Sequence, residues 1–155
     1  MTDHELRTRL TILRAQLVDH WAAYAIERHK PWTADGSSMC KFTSAFLELV
    51  LGQPWRYTGG ESRYDHEENE FFDLAGFFDG KRWESHNWVT DGKRIVDLTA
   101  HQFGADDIII TSASDPRYRE NFSRQELREG KKHVINRARQ WAAHTELLDT
   151  ADQFA

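Results

Sequence analysis

"WESHNWVTDGKRIVDLTAHQFG" occupies residues 83–104, and at its centre Asp91-Gly92 separates two runs rich in aromatic and β-branched residues. Asp-Gly between alternating runs is among the strongest short-range hairpin signals, because a tight two-residue turn needs positive φ at both central positions. With Asp91 and Gly92 as the loop, Thr90 pairs with Lys93, Val89 with Arg94, Trp88 with Ile95 and Asn87 with Val96. The next pair is His86 with Asp97. Directly opposed residues share a sheet face, with Cβ atoms roughly 4.5–5.5 Å apart. An imidazole and a carboxylate are thus expected side by side, on the face that carries Trp88 and Ile95. A carboxylate there keeps one ring nitrogen protonated and leaves the other free as a base. A one-residue bulge would instead send the two groups to opposite faces. Taken alone, the pair is equally a polar cross-strand contact at a sheet edge.

The single cysteine changes the weighing. "TADGSSMCKFTSAFLELVLGQPW" reads as a loop, a capped helix and a stop. Ser37 or Ser38 is the expected N-cap. Phe42, Ala45, Phe46, Leu49 and Val50 recur at helical spacing, and Gly52 with Pro54 ends the run. Cys40 then falls in the first turn, where the helix dipole and unpaired amides favour a thiolate. The same amides can stabilise an oxyanion on an attacked carbonyl. A lone Cys at a helix start is more often an inert small side chain. In combination, Cys40, His86 and Asp97 supply nucleophile, base and orienter in a usable order.

The segments "SSMCKFTSAFLEL", "SHNWV" and "IVDLTAHQF" resemble the papain-like cysteine hydrolases. The likeness is closer to their transglutaminase-like branch, where Cys on a helix N-terminus precedes His and Asp on adjacent antiparallel strands. The last two segments look like the H-x-W-V and I-V-D-x-T-A-x-Q-F pattern of small bacterial and phage members of that group. The resemblance covers roughly residues 37 to 104. It implies a papain/transglutaminase-like core, with Cys40 as nucleophile, His86 as base and Asp97 as orienter. It also implies a peptide or protein substrate and chemistry at an amide, isopeptide or related acyl bond. In one respect the chain departs from the papain pattern. No glutamine precedes Cys40 until Gln16, so the second oxyanion donor is unassigned. Gln53, Trp55, Trp88 and Gln102 are the candidate substrate or oxyanion groups.

Composition narrows the alternatives. A chain of 155 residues is expected to form a single domain, 1–155, with six tryptophans and nine phenylalanines to bury. A net charge of −5 argues against generic nucleic-acid binding, which needs a basic face. No apolar leader and no run near the roughly 18 residues of a spanning helix is found, so a cytoplasmic chain without membrane partners is expected. One cysteine excludes an internal disulfide and fits a reducing compartment. No CxxC occurs, and "DHEEN" at 65–69 lacks the HExxH spacing that sets two imidazoles on one helix face, so no metal is expected. Neither a P-loop nor GxGxxG is present, so no nucleotide cofactor is expected.

Along the chain, Thr2 and Glu5 at capping-box spacing open a long first helix with Leu6, Leu10, Leu13, Leu17, Trp21 and Tyr24 on one stripe. "QPWRYTGGESRY" holds a short strand ending at Gly59-Gly60, and "ESRYDHEENEFFD" (61–73) reads as an acidic, irregular, solvated segment. "FFDLAGFFDGKRW" is ambiguous between strand and helix, and "DDIIITSA" reads as a further strand. Ser123 and Glu126 repeat the capping-box spacing and open one last helix, with Leu127, Val134, Ala138, Trp141 and Leu148 on its stripe. The terminal "TADQFA" is expected to fray. With no βαβ alternation, this order predicts an α+β fold. The antiparallel sheet has helices on one side, and the Cys40 helix lies across it with its N-terminus over His86.

Overall fold

The computed structural model describes the backbone over residues 1–154 and the side chains over residues 1–146. Helix α1 (Asp3–Glu27) starts on a complete capping box, in which Thr2 Oγ1 accepts from the Glu5 amide and the Glu5 carboxylate accepts from the Thr2 amide. Its apolar stripe is buried from Leu6 to Tyr24, as the 3.6-residue period requires. At its far end, Trp21 Nε1 donates to Thr43 Oγ1 at 3.1 Å, which ties α1 to α2 (Cys40–Leu51). The loop between them turns at Gly36, whose φ of 94° lies in the left-handed region. A Cβ there would also meet the Trp21 ring at 2.8 Å, so this position tolerates only glycine.

A four-stranded antiparallel sheet runs in the order β1-β6-β7-β8, from β1 (Arg56–Gly60), β6 (His86–Thr90), β7 (Arg94–Asp97) and β8 (Ile109–Ser112). Helix α2 packs on β1 and β6, and α4 (Ile135–Phe154) packs on α2. Tyr57, Val89 and Val96 face this helical layer and join the core formed with α1, α2 and α4. The opposite face, with Trp88 and Ile95, is covered by Phe77 and Tyr118. Those two rings belong to a second sheet of order β5-β4-β9, built from β4 (Gly76–Phe78), β5 (Trp83–Glu84) and β9 (Tyr118–Arg119). The architecture is α+β, with helices on one face of the main sheet and a small sheet on the other. Among the described residues, no helix is long and apolar enough to cross a membrane.

Five expectations change. The hairpin pairs Thr90 with Ile95 and Val89 with Val96, two residues away from the anticipated register. Asp91 is the cause. Its carboxylate accepts from the amides of Lys93 (2.9 Å) and Arg94 (2.7 Å), so Asp91 precedes the turn and Gly92, with φ 92°, takes the first central position. A slip of two leaves every side chain on its original face, whereas a slip of one would not. His86 and Asp97 therefore stay on one face but become diagonal neighbours. The acidic stretch 61–73 is itself a hairpin of β2 (Arg63–Asp65) and β3 (Glu70–Asp73), with a bulge after Arg63 that hides its alternation. Tyr64 and Phe71 pair across it, ring centroids 5.0 Å apart, and Asp65 accepts from the turn amides of Glu67 and Glu68.

Neither Ser37 nor Ser38 caps α2. Ser38 has φ 63°, unlike the extended N-cap conformation, and the helix begins after Met39, which offers no side-chain cap. The last helix is two. The predicted capping box is present at Ser123 and Glu126, but α3 (Arg124–Lys132) stops beside Gly130 and His133, and α4 restarts at Ile135. The break lets Val134 enter the core, while α3 fully buries none of its side chains and meets the core through the partly buried Leu127. The expectation for the Leu148 side chain lies outside the described side chains, and the backbone of "TADQFA" is helical through Phe154 rather than frayed. Because α3 has so little burial to hold it, its cap should matter. Ser123→Ala is expected to cost ~1 kcal/mol in urea denaturation and to speed amide exchange in α3 more than in α4.

Candidate functional site

Cys40 is the first residue of α2, half-buried. With Met39 providing no cap, the amides of the first turn have no intrahelical acceptor and face outward with the positive end of the dipole. The sulfur lies 3.7 Å from Asn87 Oδ1, within range of a weak S–H donation. Asn87 is itself fixed by Nδ2 donating to the Thr58 carbonyl at 3.2 Å. Gly59, paired with Asn87 across β1 and β6, makes room for that amide: a Cβ there would stand 2.4 Å from Nδ2.

His86 starts β6 and is 1% exposed. Its ring is walled by Phe103 (centroids 5.1 Å), Phe77 (5.9 Å) and Trp88 (6.1 Å). Nε2 lies 2.7 Å from Asp97 Oδ2. An ionised carboxylate only accepts, so Nε2 carries the proton and Nδ1 is left for other work. Nδ1 is buried and makes no hydrogen bond of regular geometry, yet the Cys40 thiol is near enough to act on the ring as a hydrogen-bonding group.

Asp97 is equally buried and its four acceptor sites are well used. Oδ1 accepts from the amides of Thr99 (2.9 Å) and Ala100 (3.1 Å), and Oδ2 accepts from the Tyr118 hydroxyl (2.9 Å) as well as from His86. Burial on its own would raise the Asp97 pKa. The His86 imidazolium, its hydrogen bond, the Thr99 amide and the Tyr118 hydroxyl overcome that and hold the carboxyl below its usual range. For His86 the balance runs the other way: burial would lower its pKa, but the Asp97 charge and hydrogen bond, then the Cys40 sulfur, push it upward. The balance favours the charged imidazole more than in a free histidine.

Cys40 is brought beside the start of β6, which carries His86 and Asn87, by the packing of α2 on β1 and β6, and Asp97 joins His86 from β7. Of the other candidate groups, Trp88 packs against His86 and has no exposed surface to offer. Gln102 is engaged at both ends of its amide: Oε1 accepts from Ser38 N at 3.0 Å and Nε2 donates to the Thr99 carbonyl at 2.9 Å. It fastens the loop before Cys40 to the segment after Asp97. Gln53 and Trp55 lie past the C-terminal end of α2, at the opposite end of the helix from Cys40, and Trp55 is buried in the helical core. The α2 first turn, which Cys40 opens, has amides left without intrahelical acceptors.

Sequence reasoning overlooked Asn87, Thr99 and Tyr118. Asn87 follows His86 directly, and its position on the helix-facing side of β6 was available from alternation. An Asp with Thr two residues on is a recognisable side-chain-to-backbone turn, as Asp97 and Thr99 form. Tyr118 carries no such signal, because it arrives through the pairing of β9 with β4. Among the described residues no group of three or more His, Cys, Asp or Glu is arranged to hold a metal. Against known protein families, curated proteins and solved structures, the chain shows no match.

Proposed function

We propose that the chain is a thiol-dependent hydrolase of papain/transglutaminase-like architecture, acting on an amide, isopeptide or related acyl bond of a peptide or protein. The observation that carries this reading is the buried His86–Asp97 pair at 2.7 Å, with the second imidazole nitrogen left to the half-buried thiol at a helix start. In this reading the Cys40 S–H proton passes to His86 Nδ1, the sulfur adds as thiolate to the carbonyl carbon, and the oxyanion that forms is met by the first-turn amides of α2. As the tetrahedral adduct collapses, the C–N bond breaks and the imidazolium of His86 gives its Nδ1 proton to the departing amine. Neutral His86 then takes a proton from water, which attacks the thioester, releases the carboxylic acid and restores the Cys40 thiol. An amine in place of that water gives acyl transfer, but water needs no second binding site, which favours hydrolysis.

The test is labelling of Cys40 by iodoacetamide near pH 7. Stoichiometric reaction about ten-fold faster than free cysteine is expected, because the sulfur shares a site with the His86 cation. The rate should fall toward that of free cysteine in His86→Gln, which keeps a donor to Asp97 but loses the cation. Wild-type labelling no faster than free cysteine would instead identify the scaffold as a non-catalytic binding module.

A further inference from the structure

Asp97 Oδ2 is shared. It takes the His86 Nε2 proton at 2.7 Å and the Tyr118 hydroxyl at 2.9 Å, while Oδ1 is held by the amides of Thr99 and Ala100. The phenol is placed with care. Its ring meets Trp88 at 5.0 Å and Phe77 at 5.1 Å, both edge to face, and β9 hangs on β4 through the Phe77–Tyr118 pair. Tyr118 is only 8% exposed, and its hydroxyl donates to the Asp97 carboxylate, one hydrogen bond removed from the imidazole.

We propose that Tyr118 is a positioning residue that sets the proton affinity of His86 by competing with it for Asp97 Oδ2. This inference rests on the Cys40–His86–Asp97 reading above. A carboxylate oxygen that accepts two charge-assisted hydrogen bonds offers each donor less than one that accepts a single bond. Remove the phenol and the whole of Oδ2 falls to the imidazole, because the two backbone amides keep the carboxylate from turning away. His86 then holds its proton more tightly and becomes a poorer acid toward the leaving amine. The hydroxyl thus keeps the cation strong enough to pair with the sulfur, yet able to give its proton up.

The charged and titratable groups around the device are few. Asp97 and Cys40 bear on His86, and Asp97, Arg117 and Asp115 bear on Tyr118. Arg117 lies over the Tyr118 ring at 5.9 Å and is tied to Asp115 at 2.8 Å, an arrangement that a Phe at position 118 leaves in place.

The experiment follows the His86 ring nitrogens by NMR through a pH titration of the full chain, in wild type, Tyr118→Phe, and a protein with 3,5-difluorotyrosine at position 118. The Phe variant should move the His86 titration upward by about one pH unit. The fluorinated phenol is a stronger donor and should move it downward, which guards against a Phe variant that merely packs poorly. Where an acyl substrate is in hand, Tyr118→Phe should lower kcat several-fold and leave KM unchanged. A His86 titration at the same pH in all three proteins overturns the proposal and leaves Tyr118 as packing. The NMR readout requires no turnover, so a chain that hydrolyses nothing would sink the hydrolase reading without touching this result.

Discussion

Asp97→Asn should lower turnover by about three to four orders of magnitude in a chain that still folds. The reason lies in the acceptor count. Thr99 and Ala100 amides point at Oδ1, and the Tyr118 hydroxyl and His86 point at Oδ2, so both atoms must accept. Asparagine has one oxygen. If it stays with the two amides, its NH2 faces Nε2 and the phenol, and His86 can satisfy it only by carrying its proton on Nδ1. That tautomer has no free lone pair toward Cys40. The same change deletes the charge that does most to raise the His86 pKa, and burial, the largest single influence, is then opposed only by the Cys40 sulfur. His86 NMR titration should therefore move from above its ordinary value of about 6.5 to below it. An unchanged titration in Asp97→Asn would remove Asp97 from the mechanism.

The variant should also alter how stability depends on pH. His86 has a raised folded-state pKa, so its contribution is complete below the unfolded value of about 6.5 and is lost as the pH climbs through the folded value. Asp97 has a lowered one, so its contribution is complete above about 3.9 and is lost as the pH falls through the folded value. The wild-type protein should be most stable between those limits. Asp97→Asn should abolish both of these losses and, with the His86 pKa lowered, bring in a different one as the pH falls below about 6.5; at neutral pH it should cost about 1–3 kcal/mol, from donors left facing an NH2 group.

Cys40→Ala is expected to abolish turnover, by about a thousand-fold or more, with the melting temperature nearly unchanged. The sulfur is half-buried and its one hydrogen bond is a 3.7 Å contact to Asn87, so little packing is lost. His86→Gln should be almost as severe, since the amide can donate to Asp97 but cannot move a proton. His101→Ala is the control. His101 Nε2 donates to the Asp35 carbonyl at 2.6 Å and its ring lies 5.9 Å from Trp21, contacts that steady the loop before Cys40. That variant should lose some stability and keep its chemistry. Wild-type activity in Cys40→Ala, measured on a defined acyl substrate, would dispose of the thiol mechanism.

What could be read from the residues alone was what depends on neighbours along the chain. The α1 stripe from Leu6 to Tyr24, the two capping boxes at Thr2 and Ser123, and the placing of Cys40 in a first turn follow from local spacing. So does the common face of His86 and Asp97, because side-chain alternation survives any register slip of two. Long-range pairing decided the rest. The Asp91 carboxylate chose the hairpin register by capping amides that a propensity argument does not see, and a bulge disguised the 61–73 hairpin as an irregular loop. The β5-β4-β9 sheet is made of strands of two or three residues, too short to show a period, and it alone brings Tyr118 to Asp97. Burial of the His86–Asp97 pair, which governs both proton affinities, is set by Phe77, Phe103 and Trp88 closing around the imidazole. A single chain segment specifies its own period and caps, but which distant side chain completes a carboxylate's hydrogen bonds is settled only when the layers pack.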